Sequence, residues 1–183
     1  MTAILKVDTI QDTAGNNIIN ESSNTITIGA SGDTVAIPSG ATITGSGLGK
    51  VLQVVTATDG TVRNTTSSSF VTASNTLSVD ITPSSTSSKI FIIVNAAGYI
   101  NATGDATYTI YRGSTNLGGS NGMTAMYNET AAQINSSVAM SYLDSPSSTS
   151  QLTYQVYFKT VAGTAYLNYP NMKASITTFE IAG

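Results

Sequence analysis

SKIFIIVNAAGY, residues 88–99, decides the fold. Large apolar side chains stand side by side from Ile90 to Val94. Successive residues of a strand point to opposite faces, so a strand here is bulky on both. One face can be the core of a sandwich, and the other then needs a second surface, such as a subunit interface. As a helix the run is far too short to span a membrane. The flanking chain supports the strand reading. Ser, Pro and Thr precede it, and Asn101 to Asp105 follow it with a turn composition.

Working outward, the same texture repeats from Lys50 onward. Strands are predicted near 50–57, 62–65, 69–72, 75–82, 88–99, 106–112, 131–143, 151–161, 164–168 and 173–182, with turn-rich gaps and no helical period between them. Tyr154, Val156 and Phe158 alternate with Gln155, Tyr157 and Lys159, and Ser175 to Ile181 alternates cleanly. Regular strands without helical spacers predict one antiparallel sandwich or barrel over residues 49–183. The longest gap, Ser114 to Asn128, reads as a projecting loop.

Residues 1–48 read differently. ILKVDTI (4–10) and Asn17 to Glu21 alternate as strands, and TITIGASGDTVAIPSGATITGSG (25–47) carries Ile26 and Ile28, Val35 and Ile37, then Ile43, at a spacing of eight or nine residues. So few large side chains cannot enclose a core within one chain. The segment is either a flexible arm or an extended β arm wound with identical chains, the isoleucines meeting on a shared axis. Its regular spacing favours the intertwined arm, hence a homotrimer. Gly45-Ser46-Gly47-Leu48-Gly49 is a flexible joint.

Composition excludes several chemistries. Charged residues are 9% of the 183, the net charge is −3, and 40% are apolar. Neither disorder nor nucleic-acid binding, which wants a basic patch, fits. There is no Cys and no His, so thiolate sites, disulfides and the commonest general base and metal ligand are missing. GSGLGK (45–50) fails as a phosphate loop, with Thr44 where Gly is needed and Val51 after the Lys. Asn101, Thr103 and Asp105 bring too little charge for calcium. Asp105, Glu129 and Asp144 lie in or near predicted loops, where a glycosidase carboxylate pair could form. The start MTAILKVDTIQD shows no basic leader and no apolar core of a signal peptide. The reading is of a non-enzymatic protein, with no cofactor, no metal, no nucleic acid and no membrane insertion.

LKVDTIQD, GNNII, ITIGASGDTVAIPSG and ATITGSG resemble the N-terminal and shaft segments of tail fibres and other virion proteins of tailed bacteriophages, notably marine and cyanobacterial ones. VDITPSSTSSKIFIIV, YTIYRGSTNLGG and ASITTFEIAG resemble a trimeric jelly-roll head of the tumour-necrosis-factor and complement type. The resemblance implies a structural virion protein on the tail or capsid surface. It would be a trimeric tail fibre or fibre tip that attaches to a host surface glycan or protein. A capsid decoration protein or head fibre is the alternative, and a glycan depolymerase a more distant one. It makes residues 1–44 the part that binds other virion proteins, with Ile4, Leu5, Val7 and Ile10 as its apolar contacts. Met123, Met126, Tyr127, Tyr154, Phe158 and Glu180 are the candidates for the trimer interface or a receptor loop. Glu180 either pairs with a cation across that interface or stands as a solvated edge charge.

Overall fold

The computed structural model of the chain describes residues 9–11, 13–14, 17–22, 25–28, 31–36, 51–130 and 132–183. The described residues contain no helix, and the chain divides into two units, Met1–Gly45 and Ser46–Gly183.

The first unit holds a three-stranded antiparallel meander, β1 (Thr9–Gln11), β2 (Asn17–Ser22) and β3 (Thr25–Ile28). Its register sets Ile10 opposite Ile19, and Ile19 opposite Ile28. Isoleucine positions therefore line up across all three strands, as the alternation predicts. Residues 33–36 carry no strand, although the alternation of Val35 with Ile37 predicts one. Ile4, Leu5 and Val7, Ile37, Ile43 and the 45–49 joint lie outside the described residues.

The second unit is a sandwich of two antiparallel sheets. Its strands are β4 (Val51–Asp59), β5 (Arg63–Thr65), β6 (Val71–Thr72), β7 (Ser78–Ile81), β8 (Lys89–Ile100), β9 (Gly104–Arg112), β10 (Thr115–Asn116), β11 (Thr124–Asn128), β12 (Ile134–Asp144), β13 (Leu152–Thr160), β14 (Ala165–Leu167) and β15 (Ala174–Ile181). In the first sheet β8 pairs with β12 over Ile90 to Ile100 on one edge. Its other edge pairs with β15 over Lys89 to Asn95 and with β14 over Gly98 to Ile100. β4 and β5 complete that side. In the second sheet β9 and β13 pair at the centre, flanked by β10 and β11 on one side and by β6 and β7 on the other. The orders β4-β15-β8-β12 and β7-β13-β9-β11 send the chain back and forth between the sheets, and only the β9–β10–β11 stretch turns back within one of them. That is jelly-roll order.

Period-two alternation places the core. Ile90, Ile92 and Val94 of β8 and Ile176 of β15 are fully buried from one sheet. Tyr108 and Ile110 of β9, and Tyr154, Val156 and Phe158 of β13, meet them from the other. The two large hydroxyls of this core are satisfied: Tyr108 donates to the Tyr166 carbonyl at 2.6 Å and Tyr154 to Asp144 Oδ2 at 2.6 Å.

Because Ile92 lies at the middle of the strand that both β12 and β15 pair with, Ile92→Ala should leave a cavity the sheets cannot collapse around. Denaturant unfolding should register a loss of roughly 2–5 kcal/mol. Thr177→Ala, on the outer face of the neighbouring strand, should cost well under half of that.

Candidate functional site

The outer face of the first sheet carries the surface that stands out. The register aligns Leu143 of β12, Phe91 of β8, Phe179 of β15 and Val54 of β4 in one row across four strands. Phe91 and Phe179 sit with ring centroids 6.3 Å apart and are half-buried by each other and their neighbours. Leu143 and Val54 close the row and are 48% and 55% exposed. Ile93 and Ile181 flank it on the same face, and Val51, opposite Ile181, is also exposed. Further along, the face turns polar: Ser141, Thr177 and Thr56 share the next row, with the two threonine hydroxyls 2.9 Å apart. The row from Leu143 to Val54 is thus a contiguous apolar strip beside a largely hydroxyl-bearing one.

The first unit repeats the pattern. Ile26 and Ile28, two positions apart on β3, are 66% and 56% exposed, and Ile10 and Val35 are exposed as well. Strand alternation puts Ile26 and Ile28 on one face, and no described residue of the unit covers it.

The candidates named from sequence separate into three groups. Tyr154 and Phe158 are fully buried between the sheets and have no surface left for a second chain or a ligand. Met126 faces the same core, and Met123 packs against it. Tyr127 alone of the loop candidates is bare, at 67% exposed on the β11 edge. Ile10 is the described member of the attachment set, exposed at a register position opposite Ile19.

The Ser114 to Asn128 segment is not a projecting loop. It contains β10 and β11, and the part between them lies down on the outer face of the second sheet. Leu117 and Met123 donate backbone N–H groups to Ile110 and Tyr108. The Asn116 side chain accepts from Thr109 Oγ1 at 2.7 Å and donates to the Gly119 carbonyl at 2.6 Å. Thr107 and Thr109, outward-facing by alternation, are buried beneath it. Gly122 has φ +72°, and a Cβ there would stand 2.6 Å from Thr107 Cγ2, so only glycine lets the segment approach this closely. Two-residue and five-residue strands among Gly, Ser and Asn give almost no period to detect, which is why the sequence reads as loop.

Glu180 also departs from expectation. It is neither a solvated edge charge nor presented to a partner: it is 1% exposed, on the inward side of β15. Ser84 N and Ser84 Oγ both donate to its Oε1 at 2.6 Å, and Gln53 Nε2 donates to Oε2 at 2.6 Å. Burial alone would raise its pKa, but these donors outweigh burial and bring it to about 2. Asp144 is similarly committed. Arg112 Nη1 donates to both its oxygens at 2.8 and 2.7 Å, and Tyr154 adds a third bond. It is thereby withdrawn from any carboxylate pair with Asp105 or Glu129.

No family model matches the chain, and no curated protein matches it by sequence. Among solved structures it is similar to a mutant VP2 protein of infectious bursal disease virus in derived T=1 particles. The TM-score is 0.35 and the identity 12%, over 72% of this chain and 36% of that one. The match thus spans about a third of the length of that protein.

Glu180 gives a pH test with a definite sign. Its folded pKa lies below the ordinary 4.5, so its contribution is complete above that value and fades as pH falls toward 2. Glu180→Gln sets an amide donor against the Gln53 donor and should lose about 1–3 kcal/mol at pH 7. The gap between wild type and variant, measured by denaturant unfolding, should narrow steadily from pH 4.5 to 2.

Proposed function

We propose that this chain is a structural, non-enzymatic protein of a tailed-phage virion. It is a homotrimeric tail fibre or fibre tip whose N-terminal unit joins the particle and whose jelly-roll head contacts the host surface. The carrying observation is the uncovered apolar sheet face in each unit: Ile26 and Ile28 in the first, and the row from Leu143 to Val54 in the second. Neither face is apolar enough or large enough to be a core, and the row from Leu143 to Val54 bears no charge. Another copy of the same chain is the occupant that satisfies both at once, since each identical unit brings the same need. The sequence resemblance to phage fibre segments supports the virion setting, and the β4-β15-β8-β12 and β7-β13-β9-β11 orders support the trimeric jelly-roll head. Strands shared between three arms would leave no isolated edge to unravel. Three heads on one stalk would raise avidity well beyond one weak site.

Light-scattering mass measurement should give three chains per particle for the native protein; a folded, monodisperse monomer would refute the proposal. Val54→Glu with Leu143→Glu should weaken the trimer by at least tenfold in dissociation constant while leaving the circular dichroism spectrum unchanged, because both side chains lie at the ends of the exposed row. Deleting residues 1–24 should give a soluble head that virions no longer incorporate. Imaging the labelled protein on particles separates a tail position from a capsid one.

A further inference from the structure

The polar end of the same outer sheet face holds a cavity of about 590 Å³, a size that suits a small ligand. Its floor is the outward side of β8 and β12, where Asn95 and Ala97 on one strand lie beside Ser137 and Asn135 on the other. Its rim is the segment between β14 and β15, which contributes Tyr169, Met172 and Lys173.

This rim is fixed in place. The Asn168 backbone N–H donates to the Ala97 carbonyl at 2.7 Å, the Asn168 side chain donates to the Thr61 carbonyl at 3.1 Å, and Met172 N donates back to Asn168 O at 2.9 Å. Asn168 and Asn171 supply the positive φ angles, +65° and +68°, that this tight path requires. The Tyr169 ring is stacked on Tyr99, centroids 4.3 Å apart and planes 17° from parallel, and Tyr99 is itself buried against Tyr166. An aromatic ring is thus held rigidly at the cavity wall.

The polar groups here are uncommitted. The side chains of Asn95, Asn135, Ser137 and Lys173 make no hydrogen bond or ion pair with any described residue. Three of the other described cations are engaged, Arg63 with Asp59, Arg112 with Asp144, and Lys159 with the Ser120 carbonyl and the Phe70 ring, while Lys89 is exposed at the start of β8. No Asp or Glu lines the cavity, so Lys173 gives it a positive potential in an acidic protein.

We propose that this cavity binds a carboxylated sugar unit of a surface polysaccharide. Each wall group matches one part of that ligand. The rigid tyrosine ring offers a face for the C–H side of a pyranose. Asn amides and Ser hydroxyls donate and accept at once, as sugar hydroxyls require. The lysine ammonium pairs with the carboxylate. The inference rests on the proposed role in surface attachment for its biological meaning, but not for its chemistry.

The test uses the full-length protein in its native assembly. Binding by isothermal titration calorimetry is compared for galacturonate, glucuronate and sialyl-terminated oligosaccharides, for a neutral galactose oligomer of equal length, and for an oligoglutamate peptide. At least one carboxylated saccharide should bind, the neutral oligomer at least tenfold more weakly, and the interaction should weaken with salt. Lys173→Gln, an exposed change that leaves the fold intact, should lower affinity about tenfold, and Asn135→Arg should abolish binding by filling the cavity. The proposal is overturned if no carboxylated saccharide binds, or if both variants bind like the wild type. Oligoglutamate binding with the same variant sensitivity would overturn it in favour of an acidic peptide. A change of oligomeric mass on Asn135→Arg would overturn it in favour of contact between copies of the chain. If the native protein is instead a monomer that still binds the sugar, the trimeric reading fails and this one stands.

Discussion

The structure depends on one strand being apolar on both faces. β8 pairs with β12 over Ile90 to Ile100 on one edge, while β15 and β14 share its opposite edge. Its inward residues, Ile90, Ile92 and Val94, are wholly removed from water. Its outward residues, Phe91 and Ile93, are removed only halfway. A strand burying one face is satisfied by a two-sheet sandwich. A strand that also carries Phe91 beside Phe179 outside the sandwich keeps apolar area that the described residues of its own unit leave half-exposed. The sandwich core and the outer apolar row thus both draw on the same five residues, 90–94.

Three of the few charges complement this arrangement by going inside. Asp59, Asp144 and Glu180 are all buried at the margins of the sandwich. Each is surrounded by donors: Asp59 by Ser74, Thr61 and Arg63, Asp144 by Arg112 and Tyr154, and Glu180 by Ser84 and Gln53. Burial would raise the Asp59 pKa, yet its hydrogen bonds hold it well below the usual carboxylate range. The Arg112–Asp144–Tyr154 group links β9 and β13 of one sheet to β12 of the other. Such a group adds little net stability over a well-packed apolar substitute, but losing one partner strands a buried charge. It therefore favours a single alignment of the two sheets over slipped ones. A chain that is only 9% charged has few residues left for surface ion pairs, which leaves hydroxyls and amides as the language of its exterior.

Much of this was legible in sequence, and apart from the short strands β10 and β11 what was not shares one cause. The all-β class and the strands around 51–59, 89–100, 134–144, 152–160 and 174–181 show in alternation or in continuous apolar runs, which are local properties. The inward side of β13 was legible as a face, but not as core rather than interface, because alternation says which residues share a side and not what lies opposite. Glu180 failed for the same reason: its three donors come from residues 53 and 84, remote in the chain. The outer row did leave a signal. Val54-Val55 and Tyr142-Leu143 are neighbouring apolar pairs within strands, and a pair of that kind always puts bulk on both faces. The cavity left none, since Asn95, Asn135 and Lys173 converge only through the pairing of β8 with β12 and the fold-back of residues 168–173.

In the roles proposed above, the two ends of the outer face divide the work by chemistry. Apolar association releases water from Phe91, Phe179, Leu143 and Val54 and needs no directional partner. Recognition of a polar ligand needs the reverse: donors and acceptors held still, so that little ordering is lost when the ligand arrives. The described sheet meets both demands on one surface because register, not loop conformation, sets the positions. Moving along β8 by two residues at a time passes from Phe91 and Ile93 to Asn95 and Ala97, then to Tyr99 beneath Tyr169. A slip of one residue in the β8–β12 pairing would replace the whole outer series by Ile90, Ile92 and Val94. The buried core that fixes that register therefore also fixes which end of the face is sticky and which is selective.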